Sequence, residues 1–450
     1  MRDYLILALI LGGAGVAVFR PFVGILFWCW ISYMNPHRLT WGIAYNFPAA
    51  MVIGAGTLVG LLFSKERTRI PMERETYLLL LLWTFFVITT NFALSPGPAW
   101  GRFESISKIL LMTFVTMLVV NSRERLRTLL LTICLSIGFF GAKGGIFSLR
   151  TGGSDRIYGP PGSFLEDNND FALAAVMVVP LLFFLAREES KAWVRHGLRL
   201  VGALSIISVI FTYSRGGFVG LATIASVALL KSRKKFLAAI VFAVAVSIGM
   251  AVVPEQWFER MQSIGDRSDE SAQGRINAWH FAHNLALSRP LGGGFETFRP
   301  DLFLTYAPDP TDFHAAHSIY FEMLGEQGFF GLFLFLTILV STIVSLQGVR
   351  RRYSRWPDMR WAVNYADMLQ IAMFGYVASG AFLGRANFDL YYHLVASTVI
   401  LKAIARQEAW RLSAPAEPEL EAETPAAEDP PDPEAPEAPE ASPRPAPAPG

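Results

Sequence analysis

Apolar residues arrive in long uninterrupted runs, and polar ones in short gaps between them. The runs fall at roughly 3–19, 21–34, 46–64, 76–94, 104–120, 128–147, 168–186, 200–213, 218–230, 236–253, 316–346, 363–383 and 388–405. A helix that crosses a bilayer core needs about 20 mostly apolar residues. The pattern therefore predicts an all-α, polytopic membrane protein with about 12–13 transmembrane helices, the shorter runs being tilted, broken or re-entrant. The count turns on the first two runs, which read as two short spans or as one unit broken at Arg20-Pro21. The first has the length of a signal-peptide core, but a second run follows it without a small-residue cleavage site, so it is read as retained.

Four segments follow from the run pattern: N-terminal transmembrane helices over 1–253, a large periplasmic loop over 254–315, C-terminal transmembrane helices over 316–410, and a tail over 411–450. The tail is rich in Pro, Ala and Glu and too poor in large apolar groups to pack, so it is expected to be disordered and cytoplasmic.

Composition agrees with the membrane class, since 52 % of the residues are hydrophobic and only 17 % charged even with the polar tail included. Cys29 and Cys134 both lie inside apolar runs, which excludes a disulfide scaffold. No nucleic-acid partner is expected. The net charge of +2 says little. Its distribution says more.

Lys and Arg crowd the gaps at 65–69, 121–127, 187–199, 231–235 and 349–360, and each gap is separated from the next by an even number of apolar runs. All five can therefore be cytoplasmic at once, as the positive-inside bias requires. The gaps at 35–45, 95–103, 148–167, 214–217, 254–315 and 384–387 then face outward.

With that orientation Arg102, Lys108, Lys143, Arg156, Arg215, Arg275 and Arg385 stand at the outer ends of spans, where the bias argues against them. A charge at a helix centre costs about 2.5–3.5 kcal/mol on insertion scales and less near the interface, so a group of them points to an anionic ligand. A diphosphate headgroup fits. Snorkelling to phospholipid phosphates is the alternative for any one of them.

Tyr213-Ser214-Arg215-Gly216-Gly217 divides a long apolar stretch between two basic clusters, so the chain must turn there. Two glycines permit a tight break, and Arg215 then sits beside free backbone donors, either as a phosphate cradle or as a turn cap. Glu166, Asp167, Asn168, Asn169 and Asp170 precede the next span as a helix N-cap, or as oxygen ligands for a cation or for sugar hydroxyls.

His314 and His317 have the spacing of neighbours on a helix, but zinc needs a third ligand and neither HExxH nor a cysteine pair is present, so no metal is expected. Helical periodicity puts Tyr320, Phe321, Leu324 and Gly328 on the face of His317, which then looks into the loop's cavity. Glu322 and Glu326 fall on the far side and are expected to pair with cations on neighbouring helices. A histidine at a helix start can also be only a cap.

HSIYFEMLGEQGFFG, from His317 to Gly331, resembles the H-[NSQ]-x9-G-x-x-[GTY] pattern of the O-antigen ligases. TYSRGG and GRINAW…RPLGGGF are similar to elements of the wider O-antigen ligase and polymerase superfamily. SYMNPHRLTWG, YGPPGSFLEDNN and VPEQWFERM resemble the O-glycosylation ligases associated with exosortase systems. The likeness covers about residues 1–410 and omits the tail.

It implies an inner-membrane glycosyltransferase, multi-pass and without metal or cofactor, that takes a glycan from undecaprenyl diphosphate at the periplasmic face. The acceptor is a protein or lipid hydroxyl. The motifs carry over Arg215, Arg275 and His317 as catalytic residues. Lys108, Lys143, Arg156, Arg102, Arg385 and His314 are substrate-binding candidates by position. A polysaccharide polymerase or a transporter of the same lipid-linked glycan are the alternatives; the large external loop with its histidine favours an enzyme over a transporter.

Overall fold

The computed structural model describes residues 1–64, 69–232, 235–236 and 270–413. It is 77 % helix, with no strand among the described residues, the all-α architecture of a polytopic membrane protein. Five described helices are long and apolar enough to cross a bilayer: α1 (Arg2–Phe19), α6 (Arg123–Thr151), α7 (Asn168–Glu188), α8 (Ala192–Ile210) and α12 (Ile319–Tyr353). Two shorter apolar helices, α2 (Pro21–Met34) and α3 (Ala49–Phe63), pack beside α1. The other helices are α4 (Arg74–Asn91), α5 (Pro96–Val119), α9 (Arg215–Lys231), α10 (Glu270–Ser288), α11 (Pro300–Tyr306), α13 (Arg360–Gly380) and α14 (Asp389–Ser413). Most of the expected run 236–253, the 254–269 opening of the large loop and the tail from 414 lie outside the described residues.

The break at Arg20-Pro21 is resolved as a hairpin. Proline suits the first position of α2, where its missing N–H has no partner to lose. The chain then doubles back, so that Gly13 faces the Phe27 ring and Gly24 faces Ala17. Small residues let backbones approach wherever these helices meet. Gly56 and Gly60 of α3 lie against the Ala14 and Ala17 carbonyls, and Gly141, Gly144 and Gly145 of α6 lie against Ser205, Ser208 and Leu204 of α8.

Described residues of four basic gaps, at 121–127, 187–199, 231–235 and 349–360, gather at one end of the bundle. Arg123 pairs with Glu188 at 3.1 Å and Arg127 with Glu189, while Asp367 takes both Lys231 at 2.5 Å and Arg350 at 3.1 Å. At the same end Glu73 and Glu75 hold Lys402, and Ser341 and Ser345 donate to Glu75. The opposite end is built from the gaps that carry the candidate chemistry. The described part of the expected 254–315 loop is largely helical there: α10 and α11 enclose a small core in which Phe281 stacks on Phe303 at 4.2 Å, and α10 packs on α12.

Candidate functional site

The acidic run before α7 forms its cap. Asp167 accepts the N–H groups of Asn169 and Asp170 at 2.8 and 3.4 Å, the bonds an N-cap carboxylate is placed to make. Asn168 turns inward and donates to the Thr212 carbonyl at 2.8 Å, which anchors the SRGG turn to α7.

Ser214 caps α9 by accepting the Gly217 N–H at 3.1 Å, which leaves Arg215 at the first helical position. Tyr213 before it has φ +55°, a left-handed conformation that ends α8 sharply. Its hydroxyl donates to the Gly153 carbonyl at 2.7 Å, and the Ile157 N–H donates to the Phe211 carbonyl at 3.0 Å. The loop carrying Arg156 is thereby folded onto the SRGG turn. Burial raises the Tyr213 phenol above its ordinary pKa, and the Arg156 charge opposes that rise.

His317 is not on a helix. Ser318 stands at the N-cap position of α12 without a side-chain cap bond, and His317 precedes it at φ +43°. The face shared with Tyr320, Phe321, Leu324 and Gly328 therefore does not extend to His317, and residues 312–317 carry no helical turn that would stack it on His314. The segment is held from α10 instead. Asn277 donates to the carbonyls of Asp309 and Asp312 at 2.8 Å each and accepts the Asp309 N–H at 3.0 Å. Trp279 donates to the Ala316 carbonyl at 2.8 Å. His314 lies against Gly274, and its Nδ1 is 2.9 Å from Asp312 Oδ1. Arg275 follows Gly274 on the same helix. Burial holds the His317 pKa below the ordinary histidine range, and the Arg275 charge lowers it further. These surroundings favour the neutral imidazole.

The turn between α13 and α14, residues 381–388, is where the SRGG motif and the His317 segment meet. A Cβ on Gly216 would sit 3.2 Å from Phe382 and Leu383, so this turn covers the SRGG motif. A Cβ on Gly384 would sit 3.6 Å from the His317 nitrogen. Arg385, next along, pairs with Asp170 of α7. The turn thus touches the Arg215 motif, the His317 segment and the α7 cap within five residues.

Residues 200–336 match the O-antigen ligase family. Residues 1–190 match a family of unknown function, DUF5935. No curated protein matches the chain. The first match supports the O-antigen ligase superfamily for this protein, and with it a multi-pass membrane enzyme of glycosyl transfer in general.

The O-antigen ligase region contains both Arg215 and His317, separated by about a hundred residues of chain and brought to one turn by the fold. Its pattern glycine, Gly328, has φ +66° and ψ −168°, a conformation open to glycine alone, and kinks α12. A Cβ there would lie 2.0 Å from the Pro290 carbonyl oxygen. The RPLGGGF segment uses that kink as a docking strip: Gly293 and Gly294 donate to the carbonyls of Gly325 and Glu326 at 2.9 and 2.8 Å, and Phe329 donates to Pro290 at 3.2 Å.

Glu322 and Glu326 depart from the expected ion pairs with neighbouring helices. Glu322 accepts the Ala386 N–H at 3.1 Å, and Glu326 accepts the Glu296 N–H at 3.0 Å. Each bonds a backbone donor of a loop packed beside the start of α12. Arg102 lies 3.9 Å from Glu296. Lys108 pairs with Glu104 at 2.5 Å on an exposed face of α5, and Lys143 is exposed on α6. No hydrogen bond or ion pair among the described residues ties either lysine to the 381–388 turn.

The clamps Asn277, Trp279, Asp170 and Glu322 have no mark in the run pattern. Asn277 and Trp279 lie inside GRINAW, so the motif carries the signal even though only its arginine has an obvious chemistry.

Proposed function

We propose that this protein is an inverting glycan ligase that transfers an oligo- or polysaccharide from undecaprenyl diphosphate to an acceptor hydroxyl at the periplasmic face of the bacterial inner membrane. The observation that carries this reading is the seating of the SRGG turn and the His317 segment on the same 381–388 turn, with Arg275 acting on His317. A cationic helix start and a histidine whose backbone lies at the same short turn are the two groups that such a transfer needs.

The donor's prenyl chain lies among the helices, and its diphosphate meets Arg215 and Arg275. The acceptor oxygen attacks the anomeric carbon as the bond from that carbon to the diphosphate oxygen breaks, and His317 takes the hydroxyl proton. The electron pair leaves with undecaprenyl diphosphate, whose growing charge the two guanidinium groups stabilise more in the transition state than in the ground state. Proton abstraction by a positioned base contributes typically about 10²–10⁴-fold. Arg156, on the loop folded onto the SRGG turn, extends the positive surface around the headgroup, while Arg385 is engaged by Asp170.

The likeness of SYMNPHRLTWG, YGPPGSFLEDNN and VPEQWFERM to exosortase-associated O-glycosylation ligases makes a protein hydroxyl the first acceptor to test. Purified full-length protein in nanodiscs is offered labelled undecaprenyl-diphosphate glycan with protein, lipid and lipid-linked glycan acceptors. Release of undecaprenyl diphosphate with label on a protein or lipid is the expected result. Label joined only to lipid-linked glycan means a polymerase, and movement of the donor across liposomes with no release with any acceptor means a transporter. A reporter fused after residue 410 that is active only when exported overturns the orientation.

A further inference from the structure

The SRGG turn and the His317 segment meet the 381–388 turn from distant parts of the chain, and something must hold that turn against the start of α12. Among the described residues, three side chains hold Arg385 and Ala386 at its centre. Tyr376 of α13 donates its hydroxyl to the Arg385 and Ala386 carbonyls at 2.9 and 3.1 Å. Asp170 of α7 pairs with Arg385. Glu322 accepts the Ala386 N–H at 3.1 Å. Among these three only Glu322 belongs to the helix that begins beside His317.

Its placement is set locally. The Glu322 N–H donates to the Ser318 carbonyl at 2.8 Å, so the first turn of α12 orients the side chain. Its Oε2 passes 3.5 Å from the Cβ position of Gly384, the same position that lies 3.6 and 3.8 Å from the His317 nitrogen and Cα. A bulkier residue than glycine at 384 has Glu322 on one side and the His317 backbone on the other. Phe382 and Leu383, just before it, cover Gly216 beside Arg215.

We propose that Glu322 is a positioning residue: by accepting the Ala386 N–H it locks the 381–388 turn to α12 and so sets His317 against the Arg215 turn. The proposal rests on the reading of His317 and Arg215 as the catalytic pair. What it adds is the link between them. The bond needs an acceptor at the end of a three-carbon arm. Glutamine supplies one through its amide oxygen, whereas alanine supplies none and leaves the Ala386 N–H without its partner.

The test uses full-length protein in nanodiscs and compares the natural sequence with Glu322→Ala and Glu322→Gln. Three quantities are measured: hydrogen exchange of the peptide spanning 381–388, the rate at which diethyl pyrocarbonate modifies His317, read by mass spectrometry, and release of undecaprenyl diphosphate in transfer. Binding of undecaprenyl diphosphate alone is the control. Glu322→Ala should speed exchange of the turn, change the His317 modification rate and cut transfer by about tenfold or more, with diphosphate binding nearly unchanged. Glu322→Gln should restore all three.

Exchange and modification at normal rates in Glu322→Ala overturn the clamp. A loosened turn with normal transfer overturns its role in the reaction. Failure of Glu322→Gln to restore the turn shows that charge rather than the bond matters and also overturns the proposal. If the natural sequence transfers nothing, the ligase reading fails, and exchange and modification still decide whether Glu322 holds the turn and His317 in place.

Discussion

Trp279 donates its indole N–H to the carbonyl of Ala316 at 2.8 Å, and Ala316 is the residue just before His317. The same ring lies flat on Phe321, with centroids 4.8 Å apart and planes within 7°. One side chain of α10 therefore holds the chain on both sides of His317.

Trp279→Phe keeps an aromatic face for Phe321 and loses the bond. A buried carbonyl left without its donor costs about 1–3 kcal/mol, so transfer should fall about tenfold or more. Binding of undecaprenyl diphosphate should hold. Steady-state rates with lipid-linked glycan check this, and an affinity loss as large as the rate loss would assign Trp279 to the donor instead.

The His317 pKa sits below the ordinary histidine value because of burial first and the Arg275 charge second. Neutral imidazole is the form that accepts a proton, so transfer is present above the folded pKa and is lost as pH falls through it, at a pH below about 6.5. Stability has the same sign: the unfolded chain takes up the proton first, so the penalty begins near the unfolded pKa and is complete below the folded one. Arg275→Gln removes one lowering influence and should move the acid limb of the rate profile toward higher pH. A limb that stays in place in Arg275→Gln would show that the guanidinium does not act on His317.

Arg215→Lys keeps a charge at the start of α9 but loses the planar two-pronged donor, so transfer should drop sharply. Arg215→Ala should drop further and weaken diphosphate binding. His317→Ala should slow transfer by about 10²–10⁴-fold and leave that binding nearly unchanged, with residual activity rising with pH. If the binding loss follows His317 rather than Arg215, the two roles are reversed.

Gly328→Ala forces a side chain into a backbone conformation reserved for glycine and against the Pro290 carbonyl. The backbone strain alone costs about 1–3 kcal/mol, and the clash adds to it. Gly348 lies on the same helix with nothing within 4 Å of its Cβ position. Gly348→Ala should stabilise by roughly 0.5–1 kcal/mol. Thermal unfolding of the two variants in one detergent gives the comparison, and equal effects would mean that the kink is not held by Gly328.

The run lengths and the spacing of Lys and Arg by themselves determined the all-α membrane class and which gaps share an end, because bilayer thickness and backbone hydrogen bonding act on each segment alone. The Asp167 cap and the break at SRGG were equally legible, since a cap and a glycine turn are made by residues adjacent in the chain. Tertiary structure alone decided that His317 leaves the helix, that Glu322 bonds Ala386 rather than a cation of another helix, and that Arg385 goes to Asp170. Those partners lie 64 and 215 positions apart. Helical periodicity reports only which residues share a face. It carries nothing about a turn from another part of the chain, and the site is made where such turns meet.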